Sequence, residues 1–261
     1  MVPYNLGIEP DQWMEERIKL FFDYCYPSVL HQSKRNFRWV VFFDPRTPKR
    51  FLDQIKARDS EEMIEWKFTD HWNKMDAEII SFLKASSTKE DLIISTRLDC
   101  DDGLAVKFVR KVQDKVSQLD CIPPYALNSS HGIILNANTG IFHRKTLQSN
   151  AFISLVQKSE ALDQSIFAVQ HQEISDQVKT IQVEEPKMWL QVVHGRNLLN
   201  KTSGLPLIKD LSADFHILSS ISQKKFQVVS LVRAYLYYVK VRLSNAKFKA
   251  KRAMGKLSAS N

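Results

Sequence analysis

Three carboxylates fall within four positions, Asp99-Cys-Asp101-Asp102, at the end of the apolar run Asp91-Leu-Ile-Ile-Ser-Thr-Arg-Leu98 and just before Gly103. Like charges packed this closely repel, and a cation is the simplest relief. Hard oxygen donors suit Mg²⁺ or Mn²⁺, which in turn bridge phosphate oxygens. Where a strand gives way to a turn, aspartates at i and i+2 reach one ion, so Asp99 and Asp101, with Asp102 beside them, form a candidate metal site. Arg97 adds positive charge for a diphosphate. A plainer role competes with this one, because Asp101 or Asp102 at the start of the next helix is also a normal N-cap.

A second candidate lies in Met188-Trp-Leu-Gln-Val-Val-His194-Gly-Arg-Asn197. A histidine closing an apolar run can deliver a ring nitrogen to the same ion, or simply hydrogen-bond at a strand end. Other chemistries lose ground. No GxxxxGK[ST], GxGxxG or GxSxG pattern occurs, against nucleotide-kinase, dehydrogenase and hydrolase machinery. A haloacid-dehalogenase phosphatase would place its nucleophilic aspartate near the first strand, whereas this cluster sits mid-chain. Cys25, Cys100 and Cys121 form no CxxC or Cys/His ligand spacing, against a structural zinc site.

The elements that must hold these residues alternate. The periodicity predicts a helix over 10–24, capped by Asp11 and stopped by Pro27, then a buried strand over 37–44. A helix at 47–57, a strand at 64–69, a helix at 71–85 and a strand at 91–98 follow. Val106, Val109, Val112 and Val116 mark one face of a helix over 104–119. Beyond Cys121 short strands are expected at 133–136, 140–143, 178–183 and 189–194, with short helices at 149–157 and 162–171. Strand–helix alternation predicts an α/β domain with a mixed, largely parallel sheet flanked by helices. In such sheets ligands gather at the carboxyl ends of strands, where the acidic cluster lies.

Charge divides the chain. The whole carries +8, from 37 Lys+Arg against 29 Asp+Glu. Residues 215–261 contain ten Lys/Arg and no acid, and subtracting that +10 leaves −2 on residues 1–214. The body is therefore not a basic nucleic-acid-binding domain, and no nucleic-acid partner is expected. The tail predicts a basic amphipathic helix over 226–243, continuing through 247–256, suited either to an anionic membrane surface or to packing on the body. Ser203–Pro206 is the expected linker, dividing a domain at 1–205 from a basic helical extension at 206–261. No secretory leader is visible and no uncharged apolar stretch reaches about 18 residues. The expected location is cytoplasmic, peripheral at the inner membrane face.

Taken together, the Arg/Phe/Phe helix ending in Tyr26-Pro-Ser28, then Phe37-Arg-Trp39 and Asp44, Thr96-Arg-Leu-Asp-x-Asp-Asp102, and Trp189-Leu-Gln-Val-Val-His-Gly-x-Asn197 resemble the rhamnosyl transferase family of bacterial glycosyltransferases. The resemblance spans roughly residues 13–200. It implies a GT-A-like fold, a nucleotide-sugar donor, a divalent metal on the D-x-D residues Asp99, Asp101 and Asp102 completed by His194, and a glycan or lipid-linked acceptor in surface polysaccharide synthesis. Asp44, Arg97 and Asp99 are then the expected donor-binding residues. An inverting member also needs a carboxylate base. Asp163 is the expected one, with Glu160 and Glu173 behind it. GT-A domains open with a strand whose end contacts the nucleotide, yet Met1–Glu9 holds no strand-like run. The alternative expectation is thus a non-catalytic GT-A-like scaffold with an incomplete donor pocket.

Overall fold

The computed structural model describes residues 2–5, 7, 10–88, 91–168, 173–195, 201–217 and 228–258. Val2–Pro3 forms a short strand, β1, in the stretch that lacked any strand-like run. It lies parallel to β2 (Trp39–Phe43), with Val2 opposite Val41 and Pro3 opposite Phe42. Every residue of β2 is buried, as an apolar strand covered on both faces must be. Beyond β2 comes β3 (Ile64–Phe68), again parallel.

The first helix departs from expectation at both ends. In α1 (Asp11–Leu20) the cap position is Pro10, and Asp11 makes no cap bond but pairs with Arg50. Pro27 does not stop the helix. A π-helical turn over Phe21–Cys25 leads directly into α2 (Tyr26–Leu30), where Pro27 sits in the first turn. There its missing N–H costs nothing, and the widened turn absorbs the ring. The crossovers α3 (Lys49–Arg58) and α4 (Trp72–Ala85) follow the expected rhythm. They lead to β4 (Leu92–Thr96), the two-residue β5 (Gly103–Leu104) and α5 (Phe108–Gln118).

The second half forms two mixed sheets. One runs in the order β10 (Lys179–Val183), β6 (Tyr125–Ser129), β9 (Ser154–Lys158), β4. The other runs β12 (Leu205–Pro206), β8 (Ile141–Thr146), β7 (His131–Asn136), β11 (Trp189–Val193), β5. Pairing is parallel at β10–β6 and β11–β7 and antiparallel elsewhere in these sheets. The whole is a GT-A-like mixed α/β architecture flanked by helices.

The helix expected over 149–157 is instead a loop entering β9, whose Ser154–Gln157 are all buried between β4 and β6. Pairing on both edges overrides the weak helical spacing there. The helix expected over 162–171 is absent from residues 162–168, and 169–171 lie outside the described residues. Ser203–Pro206 carries β12, which pairs with Arg144 and His143. Leu211, Phe215 and Ile217, around α7 (Ser212–Phe215), pack in a core shared with β7 and β11. The long basic helix is α8 (Val228–Ser258), beside β12.

Candidate active site

The acidic turn is held from beneath by α2. Ser28 Oγ accepts the Leu104 N–H at 3.1 Å and donates to the Cys25 carbonyl at 2.7 Å. Gln32 Nε2 donates to the Ala105 carbonyl at 2.8 Å while its Oε1 accepts the Val109 N–H at 3.0 Å. Gly103 packs closely here, and a Cβ on it would stand 3.3 Å from Ser28 Oγ. From the opposite side Leu190 of β11 pairs with Gly103, so the strand that ends at His194 runs alongside the turn.

Three side chains meet at one oxygen. Asp101 Oδ2 lies 3.0 Å from His194 Nε2 and 3.0 Å from a guanidinium nitrogen of Arg17. Trp13 lies 4.7 Å beneath that guanidinium. Burial raises the Asp101 pKa, but the hydrogen bond from His194 and the charge of Arg17 outweigh it, so the net direction is down. Asp99 goes the other way: burial first, then the charge of Asp101, push it up against the pull of Arg97, whose Nε stands 3.6 Å from its Oδ1.

Asp102 does a different job. It is almost fully enclosed, at 1% exposure, and its Oδ1 accepts the Val192 N–H at 2.8 Å. Burial, with the charges of Asp101 and Asp99 behind it, drives its pKa well up. That carboxylate ties the turn to β11.

A divalent cation fits part of the expected donor set. Among the described residues no three His, Cys, Asp or Glu side chains are grouped to hold a metal ion. Asp101 and His194 do fit as a pair. Neighbouring ligands on an octahedral ion with bonds of about 2.1 Å stand about 3.0 Å apart, the separation of Asp101 Oδ2 and His194 Nε2. Mg²⁺ is commonly held by one or two carboxylates plus substrate phosphates, and Asp101 supplies one carboxylate. Asp102 Oδ1 is engaged by the Val192 N–H, and Arg17 shares the Asp101 oxygen.

The carboxyl ends of β1 and β2 make an adjoining network. Asp44 is fully buried, its carboxylate accepting the backbone and Nε hydrogens of Arg46 at 2.8 Å and its terminal nitrogen at 2.7 Å. The Arg46 bonds lower its pKa, and the Gly7 N–H adds to that. Asn5 Nδ2 donates to Thr47 Oγ1 at 2.9 Å, while its buried Oδ1 has no partner among the described residues. Cys100 Sγ reaches the Tyr4 carbonyl at 3.7 Å, so the end of β1 touches the acidic turn as well.

Asp163 stands apart from this convergence. It is exposed on a loop and accepts Gln157 Nε2 at 3.4 Å; no helix starts at it within the described residues. Its loop still reaches the site, since Phe167 lies 5.1 Å from the Arg97 guanidinium. Glu160 is exposed beside Lys158, and Glu173 is exposed before α6 (Ile174–Gln177).

Arg17 and Asn5 were given no site role from sequence. A signal for Arg17 existed: a cation three and four positions from the buried Met14 and Phe21 sits on the inward face of α1.

The model of a protein family described as "Putative rhamnosyl transferase" matches residues 8–204, more than half of the chain. The chain belongs to this family. No curated protein matches it. The family's name makes it one of glycosyltransferases, and the match covers α1, the acidic turn and β11 together. Its Tyr26-Pro-Ser28 segment acquires a physical meaning in the structure, because Ser28 fixes the turn while the Tyr26 hydroxyl donates to Asp59 at 2.9 Å. Asn197 lies outside the described residues.

Proposed function

We propose that the chain is a metal-dependent glycosyltransferase that moves a sugar, rhamnose by the family's name, from a nucleotide-sugar donor to a glycan or lipid-linked acceptor. The observation that carries this reading is the meeting of Asp101, His194 and Arg17 at the carboxyl ends of β4 and β11. Asp101 and His194 would hold Mn²⁺ or Mg²⁺, which when bound offsets the charge developing on the departing diphosphate. Arg17 and Arg97 add positive charge on the same side. Asn5 Oδ1, buried and without a partner among the described residues, supplies an acceptor for the nucleoside beside Asp44. Asp163, exposed near Arg97 through Phe167, is the carboxylate available to take the acceptor proton.

The membrane belongs to the same proposal. Val229, Val232, Leu236, Val239 and Leu243 form one exposed apolar stripe on α8. The helix carries eight Lys/Arg and no Asp or Glu, a pairing suited to an anionic bilayer surface. Among the described residues no helix is long and apolar enough to cross a membrane.

Calorimetric titration of the protein with nucleotide sugars, with and without Mn²⁺, tests the reading. Donor binding that needs Mn²⁺ and is lost in Asp101→Ala supports it. Binding that is indifferent to Mn²⁺ and to Asp101→Ala overturns it. A non-catalytic scaffold is the second reading, favoured by the closed Asp44–Arg46 pair and by Arg17 on the Asp101 oxygen. Release of free sugar from the donor over hours with Mn²⁺ excludes that scaffold.

A further inference from the structure

We propose that the cavity between the β7–β8 hairpin and α8 seats the acceptor, and that it takes the phosphate head of an apolar-tailed ligand. This rests on the glycosyltransferase reading for the word acceptor, but the recognition chemistry stands on the cavity itself.

The cavity holds about 510 Å³ and is distinct from another of about 510 Å³ between β2 and β4; neither is lined by Asp99, Asp101 or His194. Its floor is the hairpin, from Asn136 to His143, and its roof is α8. The hairpin connects it to the site described above. The Ala137 N–H donates to the Val193 carbonyl at 2.9 Å, and Asn138 Nδ2 lies 3.5 Å from where a Cβ on Gly195 would stand. A molecule filling the cavity therefore lies one short turn of chain from His194.

Its chemistry is that of an anion with an apolar body. Lys201 and Arg233 are the charged groups in the lining, which contains no Asp or Glu. Hydroxyls of Thr139, Ser230, Tyr237 and Tyr238 stand among them. His143 is 5% exposed, lines the same cavity, and its Nδ1 has no partner among the described residues. A buried ring nitrogen without a partner is costly unless a ligand supplies one. Burial holds the His143 pKa down and its other ring nitrogen is engaged by the Gly204 backbone, so Nδ1 of the neutral ring is an acceptor and takes the P–OH of a monoprotonated phosphate. Ile141, Ala234 and Val241 form the apolar walls.

The two sides of α8 argue for a tail. Ser230, Arg233, Ala234, Tyr237, Tyr238 and Val241 line the cavity at helical spacing. The exposed apolar stripe of Val229, Val232, Leu236 and Leu243 runs along the far side of the helix. Arg233 sits on the border between the two faces. An apolar chain leaving the cavity past Arg233 thus meets a surface of its own kind, while its phosphate stays with the cations.

Titration of the full-length chain with decyl phosphate, inorganic phosphate and decyl maltoside below its micelle concentration tests this. Decyl phosphate should bind at least tenfold more tightly than either of the others. Arg233→Gln should weaken it about tenfold, and Ala234→Trp, which fills the cavity, should abolish it, with thermal unfolding confirming that each variant is folded. The His143 imidazole ¹⁵N signals should shift on adding decyl phosphate. Equal affinity in wild type and both variants overturns the proposal. So does decyl maltoside binding as tightly, which removes the phosphate, or inorganic phosphate binding as tightly, which removes the tail. If wild type binds decyl phosphate but no nucleotide sugar, the transferase reading falls and the cavity assignment stands.

Discussion

Asp102 accepts the backbone N–H of Val192 at 2.8 Å across ninety positions of sequence. The bond joins the acidic turn to the strand that presents His194, so one of the three clustered carboxylates also fastens the turn to that strand. Asp102→Ala removes the acceptor that Asp102 offers to the Val192 N–H, at a cost of about 1–3 kcal/mol. Asp102→Asn keeps an oxygen for Val192 and relieves the repulsion from Asp99 and Asp101, so it should be much milder. Urea unfolding of the two variants checks this. Equal losses would mean that the charge, not the acceptor oxygen, matters at this position.

Gly132 of β7 lies against Trp189 of β11, and a Cβ on it would fall 2.0 Å from the indole Cδ2. The indole cannot retreat. It is fully buried, stacks on Phe152 at 5.0 Å and donates its N–H to the Ser129 carbonyl at 2.7 Å. Overpacking of this kind costs about 1–3 kcal/mol or more. Gly132→Ala should lower the urea midpoint by that margin, and Gly132→Ala/Trp189→Phe should recover part of it.

What the sequence disclosed depended on whether local pattern and tertiary demand agreed. Trp39–Phe43 read as a strand because a buried central parallel strand is a continuous apolar run, and Leu92–Thr96 read as one from its β-branched run although it is a half-exposed antiparallel edge strand. Phe108–Gln118 read as a helix because its valines recur on one face. Tyr125–Ser129 was missed because a buried strand here contains Asn128, whose amide is satisfied by partners distant in sequence, the Leu147 carbonyl, Asn150 N–H and Gln182. The short β1 has almost no pattern to read, and its place comes from the edge of β2. At the site, the motif named Asp101 and His194, which the fold brings together. It could not separate them from Asp102, because spacing does not show which carboxylate turns inward.

Acid should weaken the fold through two histidines. Burial lowers the pKa of His143, and burial with the neighbouring charge of His31 lowers that of His216, whose ring stacks 4.2 Å from His31. A histidine with a folded pKa below its unfolded value of about 6.5 leaves stability intact above that pH, and the stability is lost as pH falls through the folded pKa. Denaturant stability should therefore be level from pH 8 to 7 and decline below about 6.5. His216→Asn tolerates the left-handed backbone there, at φ 50°, and should flatten part of the decline. An unchanged slope would exclude His216 as a contributor.

The apolar stripe on α8 gives a separable prediction. Leu236 is 65% exposed and Leu243 59%, so Leu236→Asp/Leu243→Asp should leave thermal unfolding nearly unchanged. The partition coefficient onto vesicles of phosphatidylcholine and phosphatidylglycerol should fall by at least about a hundredfold, since two buried leucines are each worth about 1.5–3 kcal/mol. Raising salt from 0.1 to 0.5 M should weaken the wild type as well, because the basic face is screened. Wild-type binding insensitive to both changes would assign α8 to packing rather than to a surface.

Arg17 and Asp101 should behave as one unit in stability and in binding. Both side chains are mostly buried, and the pair stands 3.0 Å apart over Trp13. Removing Arg17 leaves Asp101 with His194 alone, and removing the Asp101 charge leaves Arg17 without its carboxylate, so Arg17→Met and Asp101→Asn should each cost about 1.5–3 kcal/mol. The double variant strands neither and should lose less than the sum, with a coupling of about 0.5–3 kcal/mol by urea unfolding. Donor and Mn²⁺ add a second axis. They should raise the wild-type melting temperature and leave that of the double variant unmoved, because it lacks both the carboxylate and the guanidinium. Additive losses would show that Arg17 and Asp101 are neighbours without partnership. A double variant still stabilised by donor and Mn²⁺ would move the donor site elsewhere on the chain.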